Sequence, residues 1–131
     1  MDGARRPRVL IVENDAVVGR MLGDMLHWLG CDPEESLEAR DALVRLDGDA
    51  EYDLLVTDLQ MPEMTGWDLA QTARTWRPQL RVLLITGLPS EAVTERARQA
   101  RLDLLAKPFT MEALETAVRR ALATEVDTAA S

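Results

Sequence analysis

Short apolar runs alternate with stretches of helical periodicity along this chain, and that alternation limits the possible folds more than any other feature. Arg8-Val9-Leu10-Ile11-Val12, Leu54-Leu55-Val56-Thr57 and Arg81-Val82-Leu83-Leu84-Ile85 are brief and rich in aliphatic residues, so they read as buried strands. After the first run, Val18, Met21, Leu22, Met25, Leu26 and Leu29 recur at helical spacing. Asp15 is placed to cap that helix and Gly30 to stop it. After the second, the pattern predicts a helix from about Trp67 to Trp76, broken by Pro78. After the third, Ser90 is placed to cap a helix running to about Ala100. Leu102 to Ala106 reads as a further strand. Thr110 caps a last helix over Leu114, Val118, Ala121 and Leu122, with Ala113 where a capping box would put Glu or Gln. Cys31 to Leu37 is the least strand-like stretch, because Pro33 and its acids suit only an edge strand. A short helix over Ala39, Ala42, Leu43 and Leu46 follows it. The alternation predicts an α/β domain over residues 8–123, a doubly wound parallel sheet with helices on both faces. Residues 1–7 and 124–131 are expected to be tails.

Right-handed crossovers leave few topologies open, and parallel strands put their tips at one end of the sheet in each. Glu13 and Asn14, Asp58, Thr86 and Lys107 would all emerge there. The run ending at Asp58 is the most informative, because a charge at the end of a buried strand is costly without a partner or a function. Strand tips of open α/β sheets are also where ligands bind. Carboxylate and other oxygen ligands, with no His or Cys cluster, suit a hard cation such as Mg²⁺. A lysine and a hydroxyl suit a phosphoryl group, and an aspartate can itself be the nucleophile that forms an acyl phosphate. Of the 15 basic residues, Lys107 alone is a lysine, which sets a compact ammonium where the chain otherwise uses arginine.

Composition narrows the setting. A net charge of -8 argues against a nucleic-acid surface. Cys31 is the sole cysteine, so no internal disulfide forms and a reducing compartment is expected. Met1 to Pro7 has no apolar core and is not a signal peptide. No apolar run approaches the roughly 20 residues of a membrane span, so a cytoplasmic protein without a membrane partner is expected.

Val12-Glu13-Asn14, Asp58 with Met61-Pro62 and Gly66, Thr86, and Lys107-Pro108-Phe109 together resemble the receiver domain of two-component response regulators. The resemblance spans about Arg8 to Leu122. It implies a flavodoxin-like five-stranded sheet of order 2-1-3-4-5 with five helices. It implies that Asp58 accepts a phosphoryl group from a histidine kinase or a histidine phosphotransfer protein, and that the domain then switches a surface for a downstream protein. Glu13, Asn14, Asp58 and the backbone carbonyl of Gln60 would hold Mg²⁺, while Thr86 and Lys107 would bind the phosphoryl oxygens. The Lys107-Pro108 bond would be cis. Such a domain is a phosphoacceptor, not an enzyme, beyond self-phosphorylation from small donors and self-dephosphorylation. With no output domain after residue 124, a stand-alone signalling or phosphorelay role is expected.

Two departures stand out. Asn14 replaces the second acid usual at the first strand tip, and Leu104 stands where the family usually has an aromatic ring. The first raises an alternative, a degenerate receiver that binds partners without phosphate. An enzyme on the same fold, a phosphatase or flavin protein, is the other alternative; no phosphate-cradling Gly-rich loop follows the first strand. Plainer roles are expected for Asp15 (a cap), His27 (surface or structural), Met21, Met25 and Trp67 (packing) and Cys31 (an inert small hydrophobe).

Overall fold

The computed structural model describes residues 5–123. Five strands alternate with five helices: β1 (Arg8–Val12), α1 (Ala16–Trp28), β2 (Asp32–Ser36), α2 (Ala39–Leu46), β3 (Leu54–Asp58), α3 (Gly66–Trp76), β4 (Arg81–Thr86), α4 (Glu91–Gln99), β5 (Asp103–Ala106) and α5 (Met111–Ala123). All neighbouring strands are parallel, and their order is β2-β1-β3-β4-β5. The expected C-terminal tail and residues 1–4 lie outside the described residues.

Strands whose two faces are both covered must be apolar on both, and β1, β3 and β4 are. Leu10, Leu55 and Leu84 face a cluster completed by α2, α3 and α4, with Leu69, Ala73 and Ala97 in it. Val9, Ile11, Val56 and Leu83 face the other, completed by Leu22 and Leu26 of α1 and by Leu114 and Val118 of α5.

The polar β2 is an edge strand, as its proline and acids predict. Polar side chains reinforce its backbone ladder with β1. Glu34 accepts from the Arg8 guanidinium, from Arg45 Nη1 at 2.9 Å and from the Tyr52 hydroxyl at 2.7 Å. Burial pushes the Glu34 pKa up, but the three donors outweigh it and hold the carboxyl below the usual glutamate value. A carboxylate with a depressed folded pKa stabilises the fold above its unfolded value, here near 4.5, and that contribution fades as pH falls through the folded value. Glu34→Gln is therefore expected to cost about 1 kcal/mol at pH 7, the group being partly exposed. The gap to the parent should close below pH 4.5 in urea melts run across pH. A gap that stays constant with pH would show that the charge of Glu34 does no work.

The helix caps follow the sequence expectation closely. Asp15, Ser90 and Thr110 each accept a backbone N–H from the first turn of their helix. Helices α1 and α4 end in the same hydrogen-bond pattern. Cys31 N–H reaches Leu26 C=O and Gly30 N–H reaches His27 C=O; Leu102 N–H reaches Ala97 C=O and Arg101 N–H reaches Arg98 C=O. The position needs positive φ: Gly30 takes it at 93° and Arg101 at 59°, where only the first is marked by its residue type. Met21 departs from expectation. It is 48% exposed, because the buried stripe of α1 runs through Gly19, Leu22, Gly23 and Leu26 and leaves Met21 beyond its edge.

Candidate functional site

The tips of β1, β3, β4 and β5 gather their polar residues at one end of the sheet. At the first tip, the Glu13 N–H donates to Ser36 C=O at 3.0 Å, extending the β1–β2 ladder by one residue. That bond fixes Glu13, which is only 4% exposed. Its Oε2 accepts the Asp15 N–H at 3.1 Å, so the capping turn of α1 also orients the carboxylate. At the second tip, Asp58 Oδ1 lies 3.4 Å from the Gln60 N–H, and Leu59 N–H bonds to Ile85 C=O at 2.8 Å.

Lys107 joins the two acids. Its Nζ lies 3.3 Å from Asp58 Oδ2 and 3.4 Å from Glu13 Oε1. These are long for hydrogen bonds, so the attraction is mainly between charges. Burial pulls the lysine pKa down, but the carboxylates of Asp58 and then Glu13 outweigh that and lift it above the ordinary lysine value. The ammonium therefore stays charged throughout the physiological range. Its own position comes from the backbone: Lys107 N–H donates to Thr86 C=O at 2.8 Å, and the Lys107-Pro108 peptide is cis.

Thr86 is 1% exposed, and its Oγ1 accepts the Leu88 N–H at 3.0 Å. Among the described residues that hydroxyl donates no hydrogen bond. Sequence reasoning placed Thr86 at a strand tip, and it is the last residue of β4. Asn14 is exposed and directly follows Glu13. Among the described residues, the Gln60 carbonyl accepts no hydrogen bond.

Glu13, Asp58 and Lys107 are thus in side-chain contact, with Thr86 tied to them through the lysine backbone. Two nearly buried carboxylates face one partly exposed ammonium, leaving one uncompensated negative charge. Together with the amide oxygen of Asn14 and the Gln60 carbonyl, the donor set is oxygen-only, which fits a small hard dication. Among the described residues no group of three acidic, His or Cys residues is placed to hold a metal, and with Asn14 this site itself offers two acids, Glu13 and Asp58.

Two residues support the site from the backbone side: the role of Thr57 escaped the sequence reading, while Gly66 belongs to the motif read there. Thr57, fully buried, donates from Oγ1 to the Asp58 carbonyl at 3.0 Å. A threonine inside an otherwise aliphatic run was the available signal. Gly66 closes the loop, donating its N–H to Leu59 C=O at 2.7 Å. A Cβ there would lie 2.7 Å from the Asp58 carbonyl oxygen, so the glycine is required by close backbone approach.

Comparison with known proteins identifies the family of the fold. The family described as the response regulator receiver domain matches residues 9–119. Chemotaxis protein CheY1 of Helicobacter pylori is 30% identical over 123 residues, covering 89% of this chain and 98% of that protein. The transcription factor SKN7 of Chaetomium thermophilum is 30% identical over 121 residues, 91% of this chain but only 16% of the relative. This chain therefore spans a small part of some of the relatives it matches. Among solved structures, the signal receiver domain of an HD domain-containing protein from Pseudomonas fluorescens Pf-5 superposes with a TM-score of 0.79 at 28% identity, covering 90% of this chain and 95% of that one. The motifs, the strand order and these likenesses agree, and the chain belongs to the response regulator receiver domain family of two-component signalling.

Proposed function

We propose that Asp58 accepts a phosphoryl group from the phosphohistidine of a histidine kinase or a histidine phosphotransfer protein. The observation that carries this reading is the placement of Asp58 Oδ2 against Lys107, the chain's sole lysine, 3.3 Å away and beside the second carboxylate of Glu13. A carboxylate oxygen of Asp58 attacks phosphorus. The P–N bond breaks with its electron pair going to the imidazole, which takes up a proton, and an acyl phosphate remains. Lys107 then pairs with the new phosphoryl oxygens, for which it is already charged and already placed. Thr86 supplies its hydroxyl proton, and any shift of that side chain strains its bond to Leu88 N–H, moving the loop Gly87-Leu88-Pro89. With Leu104 and no aromatic ring at the usual switch position, this loop is the route by which the site reaches the surface.

Glu13, Asp58, Asn14 and the Gln60 carbonyl would hold Mg²⁺. Held there, it would supply positive charge against the negative charge that collects when a phosphoryl group meets two carboxylates. Receiver domains act in general as phosphoacceptors and not as turnover enzymes, and the same holds in this reading.

A protein donor needs a surface to dock on. Val17, Met21 and Trp28 of α1 are 78%, 48% and 79% exposed. Their spacing puts them on one helix face that starts at the rim of the site, which suits a helical partner.

Acetyl phosphate with Mg²⁺ is expected to add one phosphoryl group to the protein, and chelation of the metal should prevent it. Intact-mass measurement reads both. No uptake under these conditions would favour the alternative, a receiver that binds partners without phosphate.

Asn14 sets the affinity for the metal. Its amide oxygen can coordinate but brings no charge, and Mg²⁺ is held by few protein ligands. Asn14→Asp is expected to bind Mg²⁺ more tightly and, through repulsion with Glu13 and Asp58, to melt slightly earlier in chelator. Calorimetry measures the first effect and thermal melts the second. Unchanged or weaker Mg²⁺ binding would mean that position 14 does not face the metal.

A further inference from the structure

Helices α3 and α4 do not close on each other. Between them runs an open groove of about 450 Å³. Its apolar floor includes Ala70 and Leu102, 3% and 9% exposed, and Ala100 adds no bulk to fill it. Helix α4 buries only Ala97, so it contributes little packing of its own. What ties the two helices together is a crossed pair of arginines. Arg74 of α3 donates to Leu80 C=O at 3.1 Å and to the Ala100 and Arg101 carbonyls at 2.8 Å, holding the end of α4. Arg96 of α4 lies over the Trp67 ring of α3, 4.4 Å from its centre.

The two arginines differ in what they leave free. Arg74 is committed to three carbonyls, and the charge of Asp103 acts on it. Arg96 has no hydrogen bond or ion pair among the described residues beyond its stacking on Trp67. Among the described residues no acid lines the groove, although the chain as a whole carries a charge of -8. An apolar floor with an unneutralised guanidinium at its wall complements a segment that is apolar and acidic on one face. From Trp67 to Thr75 the α3 wall runs about 12 Å at 1.5 Å per residue, room for roughly two helical turns.

We propose that this groove docks a short helical segment of a partner protein, with an aliphatic side chain on the Ala70–Leu102 floor and a carboxylate one turn away paired with Arg96. The pairing keeps the guanidinium stacked on Trp67 while its free edge takes the carboxylate, the geometry at which arginine excels. The proposal does not depend on phosphoryl chemistry at Asp58.

The probe is an alanine-based helical peptide of about 14 residues, capped at both ends, with Leu and Glu four positions apart on one face. A second peptide carries Gln for Glu. Titration into ¹⁵N-labelled protein is expected to shift the Trp67 indole N–H and the amides near Arg96 and Leu102 saturably. The Gln peptide should bind about fivefold more weakly, and so should the Glu peptide to Arg96→Gln. Arg96 is exposed and its one recorded contact is with Trp67, while Arg74 still holds the end of α4, so that variant is expected to fold and to melt only slightly below the parent. No saturable shift, equal binding of the two peptides, or shifts centred elsewhere would overturn the proposal. So would shifts at Trp67 and Arg96 that grow with protein concentration alone, since the occupant would then be a second copy of the chain.

Discussion

Asparagine at position 58 is expected to abolish phosphoryl uptake while leaving the fold intact. An amide cannot form the acyl phosphate, so the loss should be complete and not a slower rate. No neighbour is positioned to substitute. Glu13 is the other acid that touches Lys107, but it is 4% exposed and its Oε2 is taken by the Asp15 N–H. Folding should survive because the change removes the uncompensated charge of the site: Lys107 keeps Glu13 as its partner, at 3.4 Å. Lost attraction to Lys107 and relieved repulsion with Glu13 oppose each other, so stability should move by no more than about 1 kcal/mol. Intact mass after incubation with acetyl phosphate and Mg²⁺ measures uptake, and a urea melt measures the fold. A singly phosphorylated Asp58→Asn protein would move the acceptor elsewhere and sink the assignment.

How much of this was legible before the structure depends on the kind of interaction. The central strands announce themselves because burial on both faces demands uninterrupted apolar runs, and their tips follow from the parallel arrangement. Hence Glu13, Asp58, Thr86 and Lys107 could be named together from the sequence. Local hydrogen bonding was legible too, since Asp15, Ser90 and Thr110 cap by a mechanism confined to one turn. What stayed hidden are contacts between a long polar side chain and a distant backbone. Arg77 donates to the carbonyls of Leu46 and Gly48, both at 2.9 Å, and Arg74 braces the α4–β5 turn, yet no local pattern in the sequence marks either arginine. The same holds for the anchoring of β2, where Glu34 draws partners from β1, α2 and the loop before β3. Met21 was misplaced for a different reason. Helical spacing marks a face but not how wide a strip of it the sheet covers, and here the coverage stops at Leu22.

Gly66→Ala is expected to destabilise the protein by about 1–2 kcal/mol and to slow phosphoryl uptake as well. Alanine at the first position of α3 would gain up to about 1 kcal/mol in helix propensity. Space decides against it. The added Cβ would meet the Asp58 carbonyl oxygen at 2.7 Å and Leu59 Cα at 2.9 Å, both backbone atoms that move only with the end of β3. Relief of that clash displaces Asp58 relative to Lys107, so stability and uptake should fall together. Gly23→Ala provides the contrast at the same distance. Its Cβ would also meet an atom at 2.7 Å, but that atom is Oε2 of Glu35, the far end of an exposed and flexible side chain. Glu35 can swing aside, and Gly23 sits inside α1, where exchanging glycine for alanine favours the helix by roughly 0.5–1 kcal/mol. Gly23→Ala is thus expected to be neutral or stabilising, with unchanged uptake. Urea melts and acetyl phosphate labelling of the two variants side by side would measure the difference. Equal losses in both would mean that crowding alone, and not the backbone of β3, sets the cost; a stable Gly66→Ala with normal uptake would show that the loop yields without disturbing Asp58.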